Sequence, residues 1–179
     1  MPRLFSALEV PPIIAKQLAS LRGGLPGARF IDVENYHITL RFYGDVENLL
    51  ADSIVQGLDQ IKYPRLNLEI AGIDVFGARK PHSLVAKIKP HPNLISLQAA
   101  IDYQALKRGI ARDHKKFAPH ITIARFNNVK KADLLSYLTQ HSYFSCSAFQ
   151  VSRFILMSSR ASLGGGPYII EDHWPLFPY

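Results

Sequence analysis

The chain has 179 residues, 47% of them apolar, with 21 Lys and Arg against 14 Asp and Glu and a formal net charge of +7 at pH 7. That is enough apolar chain for one packed domain, or two small lobes on a shared core, and it argues against disorder. A basic excess of this size favours an anionic partner, with a polyphosphate such as RNA as a fit, and the single cysteine, Cys146, excludes an intrachain disulfide or a Cys-rich metal cluster.

Arg3 to Val10 reads as a strand, with Leu4, Phe5, Ala7, Leu8 and Val10 apolar. Its entry, Met1-Pro2-Arg3-Leu4-Phe5, lacks the apolar core of a signal peptide. No apolar run approaches the ~20 residues that span a bilayer. The expectation is a cytoplasmic protein with no membrane partner, working reduced. Pro11-Pro12 opens a helix with Ile13, Ile14, Leu18 and Leu21 at helical spacing, and Gly23-Gly24 stops it. Leu25 to Glu34 is a loop holding a short extended piece, Phe30 to Val33. Then come a strand, Tyr36 to Tyr43, a helix, Val46 to Ile61, and an alternating strand, Arg65 to Ala71. Gly72 to Ser83 reads as a loop.

The second half repeats this order. A strand, Leu84 to Ile88, leads to a helix, Asn93 to Lys107, a basic loop to Lys116 and a strand, Phe117 to Phe126. A helix, Lys130 to Thr139, and a long strand, Phe149 to Met157, follow. Gly164-Gly165-Gly166-Pro167 reads as a turn into a last strand, Tyr168 to Glu171, and a loose aromatic tail. Leu4 maps on Val85 at nearly the offset that maps His37 on His120. The chain therefore reads as one two-lobed domain with an internal repeat, roughly 1–83 and 84–179.

The repeated strands carry His37-Ile38-Thr39-Leu40 and His120-Ile121-Thr122-Ile123. Side chains alternate along a strand, so His and Thr share one face while the apolar residues point to a core. Two copies in one domain place two imidazoles and two hydroxyls on a common cleft. Histidine titrates near pH 6.5, so one ring can take a proton from water while the other protonates a leaving oxygen. The threonine hydroxyls can donate to phosphate oxygens. By parity Arg41 shares the face of His37 and Thr39. Arg125 has the opposite parity from His120 and reaches the cleft only if the strand ends or bulges there. Phe42 falls opposite His37, which makes it a core residue, whereas Phe76, in a loop near Arg79 and Lys80, is a candidate for base stacking. The cluster Lys107-Arg108, Arg112 and Lys115-Lys116 could steer a phosphate backbone. His82, His91, His114, His141 and His173 read as surface residues. A metal site wants three or more compactly spaced ligands, and each motif supplies one with no acid beside it. No Gly-x-Ser-x-Gly, P-loop or dinucleotide fingerprint appears.

These residues resemble the two-histidine phosphoesterase superfamily, and within it the RNA 2',3'-cyclic phosphodiesterases, also named 2'-5' RNA ligases. The likeness rests on Arg3-Leu4-Phe5, on Glu34-Asn35-Tyr36-His37-Ile38-Thr39-Leu40-Arg41-Phe42-Tyr43-Gly44, on Phe76-Gly77 with Arg79 and Pro81, on Phe117-Ala118-Pro119-His120-Ile121-Thr122-Ile123-Ala124-Arg125, and on Tyr168. The resemblance implies an α+β fold of two antiparallel-sheet lobes with outer helices around a groove. It implies hydrolysis of a terminal 2',3'-cyclic phosphate on RNA to a 2'-phosphate, with neither metal nor ATP. It implies His37 as proton donor, His120 as proton acceptor, and Thr39, Thr122 and Arg125 on the phosphate. Arg41, Phe76 and Arg79 are possible RNA contacts on the pattern of the residues themselves, aromatic side chains interleaved with basic ones. The chain departs from the family around Arg79 to Ala86, which lacks a tryptophan after Pro81, and at Gly109 to Lys116. Both departures bear on the groove's rim. The alternatives are the same site acting chiefly as a reversible 2'-5' RNA ligase, a phosphodiesterase of other cyclic nucleotides or 2'-5' oligonucleotides, and a non-catalytic RNA-binding module. A monomer is expected.

Overall fold

Proline and glycine set several of the element limits. The computed structural model describes residues 3–77, 79–159 and 168–178, and the expected Gly164–Pro167 turn lies outside them. Strand β1 (Arg3–Glu9) leads to α1 (Pro12–Leu18), which starts on the proline pair and ends in a 3-10 turn before Gly23 and Gly24, both at positive φ. Next come β2 (Ala28–Phe30), β3 (His37–Asp45), α2 (Asn48–Leu58), β4 (Leu66–Leu68) and β5 (Ile70–Phe76). The second half holds β6 (Ser83–Ile88), α3 (Pro92–Lys107), β7 (His120–Phe126), α4 (Lys131–Gln140), β8 (Phe149–Val151), β9 (Arg153–Ser159) and β10 (Tyr168–Pro175).

Among the described residues eight strands form one sheet in the order β10-β9-β1-β3-β7-β6-β5, with β2 also paired to β7; β4 and β8 form a separate ribbon. Every strand pairing is antiparallel, and the fold is α+β. The two motif strands, β3 and β7, meet at Ile38 and Ile121 only. Past that seam β7 pairs instead with β2, whose ladder continues as the Ile31 N–H donates to the Ile123 carbonyl (2.9 Å). The sheet thus splits into two half-sheets whose motif strands diverge from one point. The main core lies under the helices: Ile14, Leu18, Ile54, Leu58, Leu94, Leu97 and Ile101 pack with Ile38, Leu40, Ile121 and Ile123. A smaller apolar cluster of Phe5, Ala7, Ile155 and Met157, with Tyr168 against it, includes residues on the other face of β1 and β9.

Several expected boundaries move. The expected loop from Gly72 is strand as far as Phe76, because Gly72, at φ 89°, absorbs an irregularity and pairing with β6 resumes at Ile73. The long strand from Phe149 breaks at Ser152, whose carbonyl accepts from the Leu176 N–H (2.7 Å). The expected loose tail continues as strand through Pro175. Trp174 anchors it, stacked on Phe154 at 5.2 Å and donating its indole N–H to Asp59 (2.7 Å).

Candidate active site

Both motif strands carry a β-bulge at the same place, and the bulges decide what faces the cleft. In β3, Ala7 pairs with Thr39 and Ser6 with Arg41, which leaves Leu40 over. In β7, Val85 pairs with Thr122 and Leu84 with Ala124, which leaves Ile123 over. One extra residue resets the alternation. Leu40 and Arg41 are therefore both buried, as are Ile123 and Ala124, and the residue five after each histidine returns to the cleft face. That residue is Arg125 on β7 and Phe42 on β3.

A pocket of about 330 Å³ is lined by His37, Thr39, His120, Thr122 and Arg125, together with Phe42 and residues of neighbouring strands. This is the size of a small-ligand site. Among the described residues its lining includes Arg3 and Arg125 and no carboxylate, so it favours an anion. The two histidines are held alike. The His37 Nδ1–H donates to the Asn35 carbonyl (2.7 Å) and the His120 Nδ1–H to the Ala118 carbonyl (2.7 Å). Each bond fixes the tautomer and leaves Nε2 for proton exchange. Aromatic rings wall both imidazoles. Phe5 (5.1 Å) and Tyr168 (5.0 Å, edge-on) flank His37, and Phe76 stands edge-on to His120 (4.5 Å).

Burial in this apolar collar is the largest influence on both rings. It pushes His37 down to about 4, against a smaller upward pull from the Asn35 carbonyl and with further lowering by His120 and Arg125. His120 is lowered for the same chief reason, opposed by the Ala118 carbonyl and reinforced by Arg125. Both are neutral at pH 7 in the free protein, and an anion in the pocket would favour their charged forms.

The remaining candidates part company. Arg41 does not face the cleft as parity predicted. The bulge turns it to the other side, where its side chain, 4% exposed, pairs with Asp102 of α3 (3.3 Å) and donates to the Ala111 carbonyl. Asp102 also holds Arg112 (3.2 Å), and Arg108 is occupied by the Ser53 carbonyl and Gln104, so two residues of the expected basic cluster are bound to α2 and α3. Arg79 is exposed and is not among the pocket's lining residues. Phe42, expected in the core, is 55% exposed at the pocket. Sequence reading did not single out Phe5 as a site residue, because a remote strand delivers it to His37 without a local motif. Asn35 was legible in principle, since a carbonyl two residues before a strand histidine is within reach of its Nδ1. Among the described residues no group of three or more His, Cys, Asp or Glu side chains is placed to hold a metal ion, and no described helix is long and apolar enough to cross a membrane.

Comparison with known proteins places the chain in a family. The sequence profile of the 2'-5' RNA ligase superfamily matches residues 10–162. An RNA 2',3'-cyclic phosphodiesterase of Escherichia coli strain K12 is 30% identical over 179 residues, covering 97% of this chain and 96% of its own. Its namesake from Aquifex aeolicus is 25% identical over 153 residues, covering 83% and 81%. The crystal structure of E. coli LigT complexed with 3'-AMP superposes with a TM-score of 0.78 at 24% identity, over 98% of this chain and 99% of that one.

Proposed function

The chain belongs to the 2'-5' RNA ligase superfamily, and from that membership and the pocket we propose that it hydrolyses RNA 2',3'-cyclic phosphate ends to 2'-phosphates by two-histidine acid–base catalysis. The observation that carries the reading is the convergence of both His-x-Thr pairs and Arg125 on one pocket, with each histidine presenting Nε2.

The cyclic phosphate lies on the Thr39 and Thr122 hydroxyls and the Arg125 guanidinium. Its negative charge raises the fraction of protonated His37, which burial alone keeps low. His120 Nε2 takes a proton from water, whose oxygen bonds to phosphorus as the bond from phosphorus to O3' breaks. His37 Nε2–H delivers a proton to O3'. The products are a 2'-phosphomonoester and a free 3'-hydroxyl, and the histidines exchange protonation states. The leaving oxygen belongs to the ribose, so the nucleoside lies on the donor's side. Phe5, Phe42 and Tyr168 cluster around His37 and give the nucleoside an apolar wall, which supports His37 as donor. No step requires a metal or a nucleotide cofactor.

The reading also takes residues 1–179 as a single two-lobed unit, a cytoplasmic monomer whose partner is RNA. The single cysteine and the net charge of +7 support the compartment and the partner. The test is hydrolysis of a short RNA ending in a 2',3'-cyclic phosphate, with EDTA present, for wild type, His37→Ala and His120→Ala. Phosphorus NMR identifies the product. Formation of a 2'-phosphate, reduced ~10²–10⁴-fold in each variant, is expected. No turnover by wild type, or turnover only with added metal, would overturn the reading.

A further inference from the structure

Beyond the phosphate cradle, the register of the short strand β2 places a second arginine beside Arg125. In the β2–β7 ladder Arg29 pairs directly with Arg125. Directly paired residues of antiparallel strands project from the same face, and Arg125 faces the pocket. The neighbours of Arg29 give the same orientation independently. Ile31, two residues on, lines the pocket, while Phe30, between them, packs into the main core opposite Ala124. Arg29 is exposed.

Two guanidiniums set directly opposite each other repel. A phosphate over each guanidinium offsets that repulsion. Neighbouring strands are ~4.8 Å apart, so Arg29 extends the positive surface outward from the cradle by about one strand spacing. We propose that Arg29 binds the next backbone phosphate of an RNA whose cyclic phosphate occupies the pocket, and so makes the site prefer an oligonucleotide end to a free cyclic mononucleotide. This rests on the phosphodiesterase reading above and adds to it a determinant of substrate length.

The experiment measures kcat/KM for a short oligoribonucleotide ending in a 2',3'-cyclic phosphate and for a nucleoside 2',3'-cyclic phosphate, with wild type, Arg29→Gln, Arg29→Lys and Lys131→Gln. The last removes the same charge from exposed α4. The expected result is that the oligonucleotide-to-mononucleotide ratio falls roughly tenfold in Arg29→Gln, as for loss of a charge-assisted bond. Arg29→Lys should recover most of it, and Lys131→Gln should leave it unmoved. The salt dependence for the oligonucleotide should become shallower by ~0.7 in log–log slope in Arg29→Gln, the value for one phosphate contact to a single strand. An unchanged ratio, an equal loss on both substrates, or a matching fall in Lys131→Gln would overturn the assignment of Arg29 while leaving the phosphodiesterase reading intact. Failure of wild type to hydrolyse either substrate would overturn both.

Discussion

His37 and His120 carry the same hydrogen bond to the carbonyl two residues upstream, yet their surroundings differ. Two aromatic rings close on His37 and one on His120. With His37 near 4 and His120 below 6.5 in the free protein, the productive combination of one charged and one neutral ring is most populated on the acid side of neutrality. The kcat/KM profile should therefore peak below pH 6.5 and fall tenfold per pH unit above it. The alkaline limb of kcat should lie higher, because bound phosphate favours the imidazolium; coincident limbs would count against that coupling. Stability follows the same shift. The unfolded chain binds the His37 proton more readily, so folding loses stability as pH falls from 6.5 to about 4 and loses no more on this account below it. His37→Gln should flatten the urea midpoint across that window. Arg125 lowers both rings, so Arg125→Gln should raise both titrations in proton NMR and reduce kcat/KM by ~10²–10³-fold. Phe42 occupies the place of Arg125 on the sister strand. Phe42→Ala should weaken substrate binding by ~1–3 kcal/mol if a base stacks there, seen in KM with kcat largely kept.

The elements that hold these residues depend on two tight fixtures. Gly77, at φ 97°, follows Phe76 at the end of β5, and a Cβ there would meet the Lys80 carbonyl and crowd the His82 ring. Gly77→Ala should therefore cost stability, by ~1–3 kcal/mol, and should loosen Phe76 from His120. The ion pair between buried Arg41 and half-buried Asp102 ties β3 to α3. Removing one partner leaves an uncompensated charge, so Asp102→Asn should lower stability by ~3–5 kcal/mol, read from chemical denaturation. The helices of this framework were legible in the sequence, because prolines open α1 and α3 and apolar spacing marks the rest. The histidine and threonine faces were legible from alternation alone. The bulges at Leu40 and Ile123 were not, since an extra residue is a property of the paired strands and leaves no mark on one of them. They account for the misplacement of Arg41 and Phe42 and for the parity of Arg125. The last strand was misread beyond Glu171 because Trp174 finds Phe154 and Asp59 far away in the chain.

At the scale of the whole molecule, each half of the chain supplies a strand to the other half's sheet. β5, from the first half, pairs with β6, and β9, from the second, pairs with β1. The half-sheet holding His37 is therefore β10-β9-β1-β3, built from both ends of the chain, and the half-sheet holding His120 is β7-β6-β5 with β2. Neither half can complete its sheet alone, although direct pairing between the half-sheets is confined to Ile38 and Ile121. This exchange, rather than the seam, is what should make the two half-sheets unfold together. The single tryptophan tests it, because Trp174 sits on β10 and bonds Asp59 at the end of α2. Fluorescence of Trp174 and far-ultraviolet circular dichroism should report one coincident urea transition. Ile38→Ala and Ile121→Ala should each lower its midpoint by an amount equivalent to ~2–5 kcal/mol, and their effects should not add, since the two side chains share one seam. Separate transitions for the two signals would mean that the half-sheets fold independently and that the cleft is assembled by docking. In that case the seam variants would reduce phosphodiesterase activity well before they reduced the stability of either half-sheet.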